Sequence, residues 1–150
     1  MDTRFLNAAA FAAVAAFMQM TPAAHAFGVR ADLALVALVF LCGQMRPFAA
    51  YAAVAALPSA IFFLSGGLGR ESVIFYAIVL VAYGISRSVS WQPWFVYYFL
   101  LVFATIGAYA LLDRHFLAGS PLSVAREVAV NLAVGAALYA LTARFSRSFS

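Results

Sequence analysis

From Trp94 to Leu112 the chain reads WFVYYFLLVFATIGAYALL, without one charged side chain. About 20 consecutive apolar residues suffice to cross the hydrocarbon core of a bilayer as a helix. Five further apolar runs accompany this one, at 5–20, 33–45, 48–65, 72–86 and 122–143. None alternates with period two, as the strands of a membrane barrel with a polar lumen do. Helices are the remaining way to satisfy backbone N–H and C=O groups in lipid. The expected fold is all-α: a polytopic integral membrane helix bundle of about six transmembrane helices, with residues 1–150 forming a single membrane-embedded domain. The runs at 33–45 and 72–86 are short for a span, so borrowing of flanking residues and a re-entrant path are both open for them.

Charge bears this out. Only 9% of the residues are charged and 67% are hydrophobic, whereas a soluble domain is roughly 25% charged. All of the basic residues are Arg, and a formal charge of +4 is too thin an excess to point to nucleic acid. With the N-terminus inside, Arg4, Arg46, Arg87, Arg144 and Arg147 fall on the inner side and Arg30, Arg70, Arg114 and Arg126 on the outer. Basic residues are retained on the cytoplasmic side, so both termini are expected there. A rival reading takes residues 1–26 as a cleaved signal peptide with Ala24-His25-Ala26 as its cleavage site.

The breaks carry turn chemistry. Thr21-Pro22 and Arg46-Pro47 end the first two runs. Trp91 and Trp94 sit where an interfacial aromatic belt belongs. Ser120 is placed to N-cap the last helix, with Pro121 at its first position. In FFLSGGLGRES, Phe62 to Ser72, three glycines fall close together. A phosphate loop would need a lysine and a preceding strand, and neither is available. Ser65, Gly66, Gly67 and Gly69 are instead expected to form a tight outer turn, the glycines at φ > 0 and Ser65 bonded to nearby backbone. Arg70 and Glu71 then mark the interface, Glu71 in the first turn of the next helix where its charge suits the dipole.

Asn131 lies within the sixth run, and its amide needs a partner on another helix. Arg126 and Glu127 lie near the outer end of that run, placed for snorkelling or for contact with an extracytoplasmic partner. Pro58 divides the third run, and Gly107 and Gly135 are candidates for close helix approach. His25 and His115 have no Cys or His at metal-ligand spacing. No GxSxG, HExxH or Walker-type lysine is present. The segment map leaves no acid inside the membrane, where an ion-coupled carrier usually has one. These absences lead us to expect no enzyme, no cofactor and no metal.

Several ordered elements resemble the rod shape-determining protein MreD family. They are Val29-Arg30-Ala31-Asp32 before LALVALVFL, the turn Met45-Arg46-Pro47, the stretch Leu64-Ser65-Gly66-Gly67-Leu68-Gly69, and Tyr83-Gly84-Ile85 with the break at Arg87. Chain length, six apolar runs and the basic tail from Arg144 to Arg147 also agree. Ile61-Phe62-Phe63 stands where the family commonly has an acid, so no role of that acid transfers. The resemblance implies a multi-pass protein of the bacterial inner (cytoplasmic) membrane. It also implies a non-catalytic part in the cell-elongation machinery that builds peptidoglycan. The implied partners are an MreC-like bitopic protein, MreB, RodA and penicillin-binding protein 2. The family's layout is similar to the substrate-binding subunits of energy-coupling-factor transporters. The alternative function is therefore a membrane-embedded subunit binding a vitamin-like molecule for uptake, its outward cavity lined by tyrosines among Tyr76, Tyr83, Tyr97, Tyr98 and Tyr109.

Overall fold

Proline and capping residues set the helix starts. Pro93 opens α5 (Pro93–Leu112) and Pro121 opens α7 (Pro121–Ser148), at the position where a missing N–H costs nothing. Asp32 caps α2 (Leu33–Gln44), and Pro47 precedes α3 (Phe48–Leu64). Before them come α1 (Thr3–Gln19) and a short antiparallel pair, β1 (His25–Ala26) with β2 (Val29–Arg30), His25 opposite Arg30. Between α3 and α5 lies α4 (Gly69–Ser88), and α6 (Arg114–Gly119) joins α5 to α7. These elements come from a computed structural model that describes residues 3–21, 25–26, 29–65, 69–112 and 114–148.

The result is an all-α bundle of six principal helices, to which the β1–β2 ribbon is the one non-helical addition among the described residues. Three segments are long and apolar enough to cross a membrane: Gly69–Ser88, Pro93–Leu112 and Pro121–Thr142. A third or less of each is buried inside the bundle. Side chains such as Phe17, Phe63, Leu64, Val73 and Leu122 are exposed by 61%, 61%, 83%, 67% and 65%. Apolar exposure on this scale fits a surface solvated by lipid rather than by water.

The short second run is neither re-entrant nor extended by its neighbours. As α2 it has 12 residues and is only about 18 Å long, against about 30 Å of hydrocarbon. It is buried on all sides through Ala34–Val39, Leu41 and Cys42, and α1, α3, α4, α5 and α7 all pack on it. A helix apolar all round belongs in a core, and the bundle is built around this one.

Long-range hydrogen bonds give the helix directions. The end of α1 meets the start of α2, since the Ala34 N–H donates to Gln19 Oε1 at 2.9 Å. At the opposite end of the bundle, Arg87 near the end of α4 reaches the last turn of α2, donating to the Cys42 carbonyl at 3.0 Å. Between these ends the Tyr51 ring from α3 is fully buried. Its hydroxyl lies 3.2 Å from the Leu38 carbonyl and 3.3 Å from the Val79 carbonyl, and accepts from the Cys42 thiol at 3.1 Å. One phenol thus ties α2, α3 and α4 together, and its ring stacks on Tyr83 at 4.6 Å.

Pro58 does not break α3, which continues to Leu64. Of the two glycines expected at close approaches, only Gly135 is at one. A Cβ there would lie 2.6 Å from Leu101 Cδ1 and 2.9 Å from the Tyr97 hydroxyl, whereas at Gly107 it would meet nothing within 4 Å.

Candidate functional site

The polar groups of the bundle gather around the start of α2. The Asp32 carboxylate accepts from the Leu35 N–H at 3.0 Å, the N-cap bond expected of Asp before an apolar helix. The Asp32 N–H donates to Asn131 Oδ1 at 2.9 Å, and Asn131 Nδ2 donates to Thr105 Oγ1 at 3.1 Å. Asn131 is 0% and Thr105 3% exposed. With Gln19 on Ala34, three helices contribute side chains to the N-terminal end of the fourth. The four orphan N–H groups of a buried helix start have to be met in this way.

The depth of this node is its most informative property. Asn131 lies about 15 Å along α7 from Pro121 at 1.5 Å per residue, near the middle of the Pro121–Thr142 span. Asp32, hydrogen-bonded to Asn131, therefore lies about half-way along the α7 segment rather than at its Pro121 end. It stands just before an apolar run in the sequence, yet that hydrogen bond sets it level with the middle of the segment. Linear distance from an apolar run says nothing of depth when the following helix is too short to span. The β1–β2 ribbon leads into α2, with β2 packed on α7. Non-helical backbone at such depth has to be covered by protein or line a cavity.

Beside Asp32 lies a cavity of about 190 Å³ lined by Thr105, Ala108, Tyr109, Leu112 and Glu127. Glu127, half-buried and about one turn above Asn131 on α7, accepts from the Tyr109 hydroxyl. Two carboxylates from distant parts of the chain thus face one hollow, with a threonine and a tyrosine hydroxyl between them. Such a donor set can hold a cation or a proton. Among the described residues no group of three or more His, Cys, Asp or Glu is arranged to hold a metal ion.

The other residues singled out in the sequence lie elsewhere. Arg70 is exposed at the start of α4 and donates to the Leu111 carbonyl at 3.3 Å, a cation at the C-terminal end of α5. Glu71 is exposed in the first turn of α4, and Arg126 is exposed on α7. Ser65 ends α3, its N–H donating to the Ile61 carbonyl at 3.0 Å and its hydroxyl to the Phe62 carbonyl at 2.9 Å. Gly66 and Gly67 lie outside the described residues. Gly69 is the first residue of α4, without the positive φ expected of it. A Cβ there would lie 3.3 Å from the Phe63 ring.

Asp32, Gln19, Thr105, Tyr51 and Arg87 were not read from the sequence as a set. Asp32 carried a usable signal, an Asp immediately before an apolar run. The others are single polar residues whose partners lie far along the chain.

Fold and node together define a multi-pass α-helical membrane protein organised around a short, polar-tethered central helix. No protein-family model, no curated protein and no solved structure matches the chain.

Proposed function

We propose that this protein is a non-catalytic scaffold of the MreD kind in the bacterial cytoplasmic membrane. In this reading it couples an MreC-like bitopic protein, and through it MreB, to the peptidoglycan synthases RodA and penicillin-binding protein 2. The observation that carries the reading is the tethering of α2 at both ends, by Gln19 and Asn131 at its start and by Arg87 at its close. A core pinned in this way holds the outer helices in one arrangement, which a docking platform requires and a gated carrier does not. The ordered resemblance from Arg30 to Arg87 supports the same reading, with both termini cytoplasmic.

Depletion in the bacterium that carries the chain tests it. Rod-shaped cells round up, peptidoglycan insertion along the cell wall falls, and the tagged protein co-purifies with a bitopic coiled-coil partner. Unchanged cell width and insertion would end the scaffold reading.

A second reading is favoured by the hollow between Asp32 and Glu127. A carboxylate recessed in a membrane bundle is a functional-site hypothesis by default. An uptake subunit using this hollow would bind a small cationic molecule, retain it through gentle purification, and associate with an ATPase partner.

A further inference from the structure

A second cavity lies at the other end of the bundle, where α2 and α4 finish and α5 begins. It measures about 310 Å³ and is lined by Gly43, Gln44, Arg87, Trp91, Val39 and Leu100 among others. That volume is at the lower edge of small-molecule pockets. The mouth is polar, with Arg87 and Gln44 both exposed. Its inner wall runs up between α2 and α5, and Val39 and Leu100 lie about 7–10 Å from Gln44 and Pro93 along their helices.

Charge narrows the occupant. Among the described residues no Asp or Glu lines the cavity, and the ionisable side chains facing it are Arg87, Cys42, Tyr97 and Tyr139. Arg87 commits Nη2 to the Cys42 and Met45 carbonyls and lies 5.1 Å from the Tyr83 ring centroid. Guanidinium has five N–H donors in a planar fork. The Nε and Nη1 hydrogens make no hydrogen bond among the described residues. Here, then, is a cation with no carboxylate partner among the described residues, at the rim of a cleft whose floor is aliphatic. Beside it the half-exposed Trp91 and Trp94 mark the level at which indole rings meet lipid headgroups.

We propose that this cavity binds the phosphate headgroup of an anionic phospholipid. Arg87 and Gln44 hold phosphate oxygens at the mouth, and the wall between Val39 and Leu100 takes the first methylenes of an acyl chain. The site is independent of the scaffold reading and of the Asp32–Glu127 hollow.

Native mass spectrometry of the full chain, delipidated and then titrated with phosphatidylglycerol, phosphatidylcholine or inorganic phosphate, tests the proposal. Gly43→Leu is the cleaner variant, because Gly43 lines the cavity and a Cβ there would meet nothing within 4 Å. Arg87→Gln removes the cation but also a tether of α2, so its melting temperature is read alongside. Phosphatidylglycerol is expected to bind in preference to phosphatidylcholine. Arg87→Gln should weaken it by about tenfold, the worth of one charge-assisted hydrogen bond, and Gly43→Leu should weaken it by filling the cavity. Equal binding of the two lipids, unchanged by G43L, would overturn the proposal in favour of ordinary boundary lipid. Displacement of phosphatidylglycerol by millimolar inorganic phosphate would overturn it in favour of a free-anion site.

Discussion

Arg87 donates to the Cys42 carbonyl at 3.0 Å across 45 positions of sequence. The contact closes the C-terminal end of α2, where Gln44 and Arg87 are exposed. The last carbonyls of α2 have no partners within the helix. The Arg87 guanidinium supplies both hydrogen bonds and a positive charge at the negative end of the helix dipole. Tyr83 adds to the clamp through its hydroxyl on the Arg46 carbonyl and its ring under the guanidinium.

Removing this clamp should cost stability. Arg87→Met removes the hydrogen bonds to the part-buried Cys42 carbonyl and the exposed Met45 carbonyl, and should cost about 0.5–1.5 kcal/mol, the net worth of one hydrogen bond. Thermal unfolding in nanodiscs should show a lower melting temperature, with Arg87→Lys between variant and parent. No change in either would show that the clamp is dispensable.

Asn131 and Thr105 should be coupled. In a double-mutant cycle of N131A and T105A, the interaction energy is expected near 0.6 kcal/mol and below about 1.7, the range for hydrogen bonds between membrane helices. N131A alone should cost more than T105A, because it also strands the Asp32 N–H. Full additivity would sink the claim that the Asn131–Thr105 bond contributes.

Asp32 has two separable properties, a capping oxygen and a charge. Asp32→Asn keeps the first, so its unfolding midpoint should stay close to that of the parent. Asp32→Ala loses the cap and should cost about 1 kcal/mol. A D32N protein that unfolds well below the parent would show that the charge itself contributes to the cap.

Gly135→Leu should be destabilising by about 1–3 kcal/mol through overpacking, since α7 lies against Leu101 and Tyr97 at this position. Adding Leu101→Ala opens space at the nearest contact and should restore part of the loss. A G135L protein that unfolds with the parent would place α7 elsewhere.

Cys42 is 1% exposed and hydrogen-bonded to Tyr51. A membrane-permeant maleimide should leave it unlabelled in the folded protein and label it after denaturation. Tyr51→Phe should cost about 0.5–1.5 kcal/mol, the net worth of one hydrogen bond, and speed labelling. Rapid labelling of the parent would contradict the burial.

Much of this molecule was legible in order along the chain. Long uncharged runs leave helices as the way to satisfy a backbone in lipid, and that alone determined the class of fold and the approximate bounds of α3, α4 and α5. Pro93 and Pro121 announced the starts of α5 and α7, because proline has no N–H to lose at a helix entrance. The need of Asn131 for a partner could also be read from the sequence, since an amide inside an apolar run cannot be left alone.

What only the tertiary structure decided is depth and pairing. Nothing in LALVALVFLCG distinguishes a span from the short helix at the centre of the bundle, because both are apolar on every side. Once α2 is central, Asp32 changes from a loop residue to a recessed acid, Arg87 from a basic break to a helix cap, and Tyr51 from a generic aromatic to the link between three helices. Each change arises because a buried polar group takes whichever partner packing brings within about 3 Å, and sequence separation carries no record of that distance.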